Sequence, residues 1–160
     1  MPRAQYHRFS RRLDGIQALP NWPAGFALRP FIPARSARPV HRLLEEAYAT
    51  GGGSVPDFQA WWSWLSADDE YDPALVVTVF DPAGELAGVA ICWTTAFVKD
   101  LAVARAHRRG GLATRLLRHA FATFHRRGAP AVDLKVDVDN PAAISLDHSV
   151  GMELVRGPSN

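Results

Sequence analysis

The sequence predicts a mixed α/β domain, and three observations lead to that prediction. The chain has 160 residues, a usual length for one domain with a buried core. Hydrophobic residues make up 48% and charged residues 21%, which is typical of a folded globular protein rather than a disordered one. Stretches with apolar residues at helical spacing alternate with short β-branched runs, and that order favours the α/β class.

The N-terminal part predicts an arm followed by an edge strand. Residues 18–25 are dense in proline, glycine and asparagine, so they separate an arm, residues 1–22, from the domain proper, residues 23–160. Residues 26–31 briefly alternate apolar and polar side chains, which predicts a strand. Pro30 has no backbone N–H to donate and therefore favours an edge position for this strand.

Two helices are predicted next. Ser36 is the expected N-cap of a helix over residues 36–50, which three glycines end. Asp57 is the expected N-cap of a second helix. The apolar face of that second helix is formed by Phe58, Trp61, Trp62 and Leu65. We interpret most of this aromatic cluster as core.

The rest of the chain predicts a hairpin and then alternating helices and strands. The turn residues 81–84 join two apolar, partly β-branched runs into a hairpin. The predicted elements are, in order, strands 74–80, 86–93 and 96–103, a helix over 112–127, a strand 131–138, a helix over 140–150 and a short strand 152–156.

Composition and charge exclude several classes of protein. No apolar stretch approaches the roughly 20 residues that cross a bilayer, and the basic N-terminus has no apolar segment behind it. Cys92 is the only cysteine and lies in a strand-like run, so we interpret it as buried and unreactive. The net charge of +2 is too small to indicate a nucleic-acid surface. We therefore expect a cytoplasmic protein that binds neither membranes nor nucleic acid.

One segment carries a chemical signal, the predicted strand, loop and helix over residues 101–117. The loop contains Arg108, Arg109, Gly110 and Gly111 and opens directly into the helix. The first turn of a helix has unbonded N–H groups and a partial positive charge, so it holds a phosphate when the backbone can come close. Glycines permit that approach, and arginines add charge-assisted hydrogen bonds. The loop is neither a Walker loop nor a dinucleotide fingerprint, and taken alone a solvated charged loop is an equal alternative to a diphosphate site.

A second motif follows the next strand, and together the two resemble the motifs of the GNAT superfamily of N-acetyltransferases. The first family motif, Arg-x-x-Gly-x-Gly/Ala, is matched by Arg108, Gly111 and Ala113. The second, Asn-x-x-Ala followed by Leu and by Gly-Phe or Gly-Met, is matched by Asn140, Ala143, Leu146, Gly151 and Met152. The resemblance covers about residues 26–156, and its specific part is residues 101–152.

The resemblance implies a GNAT fold and a co-substrate. That fold has a mixed, mostly antiparallel central sheet with helices on both faces and a V-shaped splay between two parallel strands, here 96–103 and 131–138. Acetyl-CoA would lie in the V, and an amine would be its acetyl acceptor.

The family also implies which residues bind acetyl-CoA. The strand residues Leu101, Ala102 and Val103 would bind the pantetheine and the acetyl carbonyl, and Asn140 and Ala143 would lie on the pantetheine side. The diphosphate would be bound by Arg108, Arg109, Gly110, Gly111, Leu112, Ala113 and Thr114.

By the same resemblance the amine attacks the thioester directly, so the site needs a base for an ammonium group whose pKa is near 10.4. Phe97 or Val98 takes the place where many family members have a glutamate. Asp100 is the nearest acid on that strand and is the expected base. Three other residues are alternative bases: Glu45, Glu46 and His107.

The family's acid, a tyrosine that protonates the leaving thiolate, corresponds to Asp147. An ionised carboxylate cannot donate a proton unless its pKa is raised, so His148, Ser149 or water is the alternative source. This departure keeps a second hypothesis open, a CoA-binding or regulatory domain without efficient turnover. The acidic segment 68–72 lacks the glycine and the final glutamate of a calcium loop, so no metal site is expected.

The arm has a predicted role in the sheet. After residue 152 the chain has room for one closing strand fewer than the family usually has. Residues 5–15 resemble the closing strand of the preceding domain in tandem GNAT proteins. We expect the arm to fill the vacant place, either within one chain or by exchange with a second copy in a homodimer; a disordered tail is the alternative.

Overall fold

A computed structural model of the chain describes residues 5–49 and 53–159, with side chains up to residue 155. The strands in this part of the chain are β1 (Tyr6–Arg12), β2 (Ala27–Arg29), β3 (Val76–Phe80), β4 (Leu86–Trp93), β5 (Phe97–Val103), β6 (Ala131–Asp137) and β7 (Glu153–Ser159). The α-helices are α1 (Pro33–Tyr48), α2 (Phe58–Ala67), α3 (Leu112–Arg126) and α4 (Pro141–Ser149). None of the helices within the described ranges is both long enough and apolar enough to span a bilayer.

The helix starts show one wrong prediction and one confirmed prediction. Helix α1 begins at Pro33, because proline at the first helical position lacks only an N–H that would have no partner there. Ser36 is therefore buried inside the helix, and the prediction that it is the N-cap is wrong. Asp57 does cap α2, accepting the Ala60 N–H at 2.9 Å. The predicted end of the first helix at residue 50 and the glycines at 51 and 52 lie outside the described residues.

A single sheet contains the seven described strands in the order β2-β3-β4-β5-β6-β1-β7, and only the β5–β6 pair is parallel. Successive strand residues face opposite sides, so Val76 packs in the core under α1 and α2, and Val77 packs in the core under α3 and α4. Residues 73–75 form a 3₁₀ turn, so β3 begins two residues later than predicted. The arrangement confirms the predicted α/β fold class.

The parallel strands β5 and β6 pair over only two positions. Phe97 is in register with Asp133, and Val98 with Leu134. The next residue, Lys99, has no register partner in β4 because the β4–β5 pairing contains a β-bulge there. A bulge bends a strand and increases its twist, so β5 diverges from β6 beyond this point. The result is the V-shaped opening that the sequence predicted.

The arm contributes strand β1, which lies between β6 and β7 of the same chain. Phe9 is only 1% exposed and belongs to the core under α3. On the other face of the sheet, the carboxylate of Asp133 accepts hydrogen bonds from Arg8 at 2.8 Å and Ser10 at 2.5 Å. The arm is thus fixed by burial on one face and by an ion pair on the other. Residues 1–4 of the arm lie outside the described residues.

Candidate active site

A cleft of about 970 Å³ opens where β5 and β6 diverge. One part of it, here called the loop end, is lined by Val103, Arg108, Ala113, Asn140, Ala143 and Asp147. The other part, here called the tyrosine end, is lined by Tyr6, Tyr48, Trp64, Lys99 and Asp100. The strand residues Leu101 and Ala102 line the cleft between the two ends.

The loop before α3 presents unbonded backbone donors. No described residue accepts a hydrogen bond from six consecutive amides, those of Arg109, Gly110, Gly111, Leu112, Ala113 and Thr114. Gly111 precedes the helix with a φ of 79°, a left-handed conformation that glycine adopts without steric cost. Because these amides also lie at the positive end of the helix dipole, the loop can bind an anion.

Neighbouring side chains hold this loop in shape without using its amides. Arg115 donates from Nη1 to the Gly110 carbonyl at 3.0 Å and from Nε to the Asn21 carbonyl at 2.7 Å. Glu46 accepts the amide of Arg105 at 2.9 Å just upstream. The anion-binding conformation is therefore already formed in the chain alone.

Arg108 connects the loop to the end of β5. Its Nε donates to the Val103 carbonyl at 3.2 Å, while the residue is exposed and lines the cleft. The guanidinium keeps other N–H groups with which it can bind a phosphate oxygen.

The start of α4 forms the opposite wall of the loop end. Asn140 is the N-cap of this helix, and its Oδ1 accepts the Ala143 amide at 3.2 Å. The side-chain amide nitrogen of Asn140 donates to no other described residue. It is therefore a donor that a bound molecule in the cleft can use.

Asp147 is the buried acid of the loop end. The residue is 3% exposed and lines the cleft, yet its Oδ2 has no hydrogen-bond partner among the described residues. Burial raises the pKa of its carboxyl from 3.8 to about 7. Near neutral pH the carboxyl is therefore divided between its charged form and its neutral form, and the neutral form can donate a proton into the cleft.

The tyrosine end is organised around the buried carboxylate of Asp100, which is 8% exposed. Tyr48 donates to its Oδ1 at 2.5 Å, and the ammonium of Lys99 donates to its Oδ2 at 2.7 Å. Lys99 also lies over the rings of Trp64 and Trp93, with its Nζ 4.9 and 5.8 Å from their centroids. A carboxylate with two donors and further lone pairs can still accept a proton or bind a cation.

Two other groups near Asp100 stay protonated. Burial, together with the charge of Asp100, raises the pKa of the Tyr48 hydroxyl far above its usual value, so this hydroxyl acts as a donor. Burial, followed by the charge of Asp100, raises the pKa of Cys92 to about 12. The thiol is buried, as predicted, and a protonated, buried thiol is a poor nucleophile.

The structure brings together most of the residues that the two motifs indicated. Ten of them line the cleft: Asp100, Leu101, Ala102, Val103, Arg108, Ala113, Asn140, Ala143, Leu146 and Asp147. The others of the loop lie beside it: Arg109, Gly110, Gly111, Leu112 and Thr114. His148 does not line the cleft; it is exposed and packs edge-on against Phe9, 5.1 Å between ring centroids.

The alternative bases are engaged elsewhere. Glu46 accepts the Arg105 amide, and the ring of His107 lies 2.9 Å from the carboxylate of Asp81. Glu45 lies 3.4 Å from His41, and none of the three candidates lines the cleft. Within the described ranges no three His, Cys, Asp or Glu side chains are grouped as metal ligands would be.

Sequence reasoning gave no catalytic or binding role to four side chains of the tyrosine end: Tyr6, Tyr48, Trp64 and Lys99. Tyr48 has helical spacing in the first predicted helix, and Trp64, off the apolar face of the second, indicated only an apolar wall for the acceptor. No local pattern distinguishes them, because their position at the cleft depends on how α1 and α2 pack on the sheet.

The family model for "Acetyltransferase (GNAT) family" matches residues 38–152 of the chain. No curated protein matches it. Among solved structures, the GCN5-related N-acetyltransferase from Sphaerobacter thermophilus is similar, with 27% sequence identity and a TM-score of 0.82, over 99% of this chain and 50% of that chain. The chain therefore spans half the length of that protein.

Two further solved structures share the fold. A tandem GNAT protein from the clavulanic acid biosynthesis pathway has 19% identity and a TM-score of 0.64, over 94% of this chain and 50% of that chain. The ribosomal-protein-S18-alanine N-acetyltransferase from Escherichia coli has 22% identity and a TM-score of 0.64, over 79% of this chain and 76% of that chain. With a family model matched over more than half of its length and both family motifs bordering one cleft, the chain belongs to the GNAT acetyltransferase family.

Proposed function

We propose that this chain is an N-acetyltransferase that moves the acetyl group of acetyl-CoA to a primary amine. The observation that carries the proposal is the row of unbonded amides at the start of α3, at one end of the cleft. Such a row suits a doubly charged diphosphate, and a diphosphate is what distinguishes CoA from a simple thioester. Membership in the GNAT family adds support.

Each part of acetyl-CoA has a matching surface in the cleft. The loop amides and Arg108 would bind the diphosphate. Beyond Val98 strand β5 has no parallel partner, so backbone groups around Leu101 are free to bind the amides of the pantetheine. Ala113 and Ala143 leave room for the chain, and Asn140 offers its amide nitrogen. The residues present therefore fit this co-substrate, which supplies the activated acetyl group when bound.

Asp100 is the proposed base. It is the buried carboxylate at the tyrosine end, where an acceptor would approach from the side opposite the loop. It can bind the ammonium form of the acceptor and remove its proton, while Tyr48 and Lys99 hold the carboxylate in place.

Asp147 is the proposed acid. A leaving thiolate has a solution pKa near 8.5, so a carboxyl with a pKa of about 7 can protonate it. The raised pKa removes the objection that an aspartate in this position is always ionised. The proton leaves a buried carboxyl whose Oδ2 makes no hydrogen bond to any described residue, and which faces the cleft directly.

A second candidate function is a CoA-binding domain without efficient turnover. The observation in its favour is the ion pair that Asp100 makes with Lys99, because an acceptor ammonium must share that carboxylate with the ammonium of Lys99. Both candidates require the loop to bind CoA, so they differ only in the acetyl transfer.

Calorimetric titration with acetyl-CoA, followed by detection of free thiol in the presence of a panel of primary amines, tests the proposal. We expect binding and amine-dependent release of CoA, with the acetylated amine identified by mass. Binding without release would support the second candidate, and absence of binding would overturn both.

Cellular location and assembly are also proposals. We propose a cytoplasmic site of action, a division of the chain into residues 1–22 and 23–160, and exchange of β1 between two copies as a route to a homodimer. Light scattering at several protein concentrations tests the exchange; a monomer at all of them would exclude it.

A further inference from the structure

The chain has only two lysines, although lysine and arginine together number 18. Lys99 and Lys135 both line the cleft, one on each of the two diverging strands. Arginine keeps its proton in proteins and is a poor nucleophile, so these are the side-chain amines that an acetyl donor in the cleft can meet.

Lys99 lies at the point where the V opens. It is the bulged residue of β5, immediately after the last pair that joins β5 to β6. The side chain is 17% exposed, and its Nζ lies 2.7 Å from Oδ2 of Asp100. The rings of Trp64 and Trp93 lie against the ammonium. A bulge next to a functional cleft commonly sets the direction of one side chain.

The surroundings of the Lys99 ammonium are those that a bound acceptor amine would have. A primary alkylammonium lies against the buried carboxylate to which the proposed function assigns proton removal, and aromatic rings favour a cation there. We propose that Lys99 is an internal acceptor, a side chain that the protein acetylates itself when acetyl-CoA is bound and no amine substrate is present. The inference rests on the proposed function, because the acetyl donor must occupy the cleft.

The transfer balances with groups already in the cleft. Asp100 Oδ2 takes one proton from the ammonium of Lys99, and Nζ then forms a C–N bond to the acetyl carbon. The C–S bond breaks, its electron pair remains on sulfur, and Asp147 or water protonates the thiolate. After loss of its second proton to water, Lys99 carries a neutral amide.

Lys135 provides an internal control. It lines the same cleft but is exposed, and within the described part of the chain no carboxylate lies within ion-pairing distance of its ammonium. Slow acetylation by free acetyl-CoA in solution would favour the exposed amine. Acetylation inside the cleft, with Asp100 as base, favours Lys99 instead.

Acetylation of Lys99 would also change the tyrosine end. The neutral amide can no longer form the ion pair with Asp100 or the cation–π contacts with Trp64 and Trp93. Asp100 would then keep only the Tyr48 hydroxyl as a side-chain donor. Acetylation of Lys99 therefore replaces the ammonium group beside Asp100 with an uncharged amide.

The test is peptide mapping by mass spectrometry of the full chain after incubation with acetyl-CoA, without added amine. We expect Lys99 to be acetylated about tenfold faster than Lys135, as expected for a positioned nucleophile. The Lys135→Arg variant should retain the rate of Lys99 acetylation, and Lys99→Arg should show only the slower acetylation of Lys135. A saturating amine substrate should protect Lys99.

Three outcomes would overturn the inference. Equal or faster acetylation of Lys135 would show reaction in solution only. If acetyl-CoA binds and an added amine is acetylated while Lys99 stays unmodified, the inference is wrong and the proposed function stands. If titration shows no binding of acetyl-CoA, both fall together.

Discussion

The two ends of the cleft differ in the groups that supply their polar contacts. At the loop end the anion site comes from the backbone, six consecutive amides made available by one glycine turn and one helix start, with Arg108 and Asp147 beside it. At the tyrosine end it comes from side chains that four separate segments contribute, represented by Tyr6, Tyr48, Trp64 and Lys99. We therefore expect the anion site to be more sensitive to a change in backbone conformation, and the tyrosine end to be more sensitive to a change of side chain.

This difference suits what each end would bind. A diphosphate is the same in every molecule of CoA, and a rigid set of amides recognises it without selecting anything else. An acceptor varies from enzyme to enzyme, and side chains on separate elements can change one at a time. The four predictions below test this division, in order of expected effect.

The tyrosine end should depend on the packing of the arm. Phe9 anchors β1, which carries Tyr6 to the cleft, so Phe9→Ala should lower the free energy of unfolding by about 3–5 kcal/mol. Chemical denaturation measures the change. Ile16→Ala is the matched control, because this arm residue is 95% exposed and its truncation should leave stability nearly unchanged. A small effect of Phe9→Ala would mean that β1 is not part of the stable sheet.

Asp100→Asn should separate catalysis from co-substrate binding. It keeps the shape of the side chain but removes the proposed base, so kcat for an amine should fall about 100-fold. Acetyl-CoA affinity should stay the same, because Asp100 lies at the other end of the cleft from the loop. Steady-state kinetics and calorimetry measure the two quantities. An unchanged kcat would exclude Asp100 as the base.

Gly111→Val should show the reverse pattern. A β-branched side chain at a φ of 79° is strained, so the loop should change shape, and the added Cβ, 2.6 Å from Arg115 Nη1, would also displace the guanidinium that holds the loop. Loss of one charge-assisted hydrogen bond to the diphosphate would weaken acetyl-CoA binding by about 2 kcal/mol, roughly 30-fold.

Gly84→Val is the control for Gly111→Val. Gly84 has a φ of 83° in the β3–β4 turn, and no atom lies within 4 Å of a Cβ added there. The Gly84→Val variant should lose about as much stability as Gly111→Val but retain full affinity for acetyl-CoA. Equal affinity losses in both variants would contradict a specific role for the loop.

Asp147→Asn should change how stability depends on pH. Because burial raises the folded-state pKa to about 7 from 3.8, the carboxyl binds its proton more tightly in the folded chain. Its stabilising contribution is complete below about pH 4 and is lost as pH rises through about 7, which amounts to about 1.4 kcal/mol between pH 6 and 8. The asparagine variant should lack that loss, as thermal midpoints at the two pH values would reveal.

The exposed residue Asp139 provides the comparison for Asp147. Asp139→Asn should follow the wild-type pH dependence. If the asparagine variant of Asp147 also follows it, the carboxyl does not titrate near neutral pH and cannot be the acid.

The two ends also differ in how far the sequence predicts them. Seventeen consecutive residues, 101–117, contain the strand, the glycine turn and the helix start, so this local pattern, together with the second motif and the family resemblance, indicated the loop end. The second motif indicated Asp147. The pKa of this carboxyl depends on how deeply the fold buries it, and the local sequence does not predict that burial. The role of Lys99 depends on a bulge, and no residue type specifies one.

The fold shows the same limit. Hydrophobic periodicity predicted the strands and helices, because burial of one face acts within each element. The start of α1 was predicted wrongly. Proline at the first helical position and serine at the N-cap are equally good start signals, and the helix uses Pro33. Pairing partners such as β1 between β6 and β7 are decided by contacts far apart in sequence.

If the unbonded amides at the start of α3 bind a diphosphate, a ligand without one should bind much more weakly. Acetyl-CoA and S-acetylpantetheine carry the same thioester, but only the first has the diphosphate and the phosphorylated adenosine attached to it. Calorimetric titration should show that S-acetylpantetheine binds at least about 100-fold more weakly than acetyl-CoA. That loss is equivalent to one or two charge-assisted hydrogen bonds. Equal affinities for the two ligands would contradict the account.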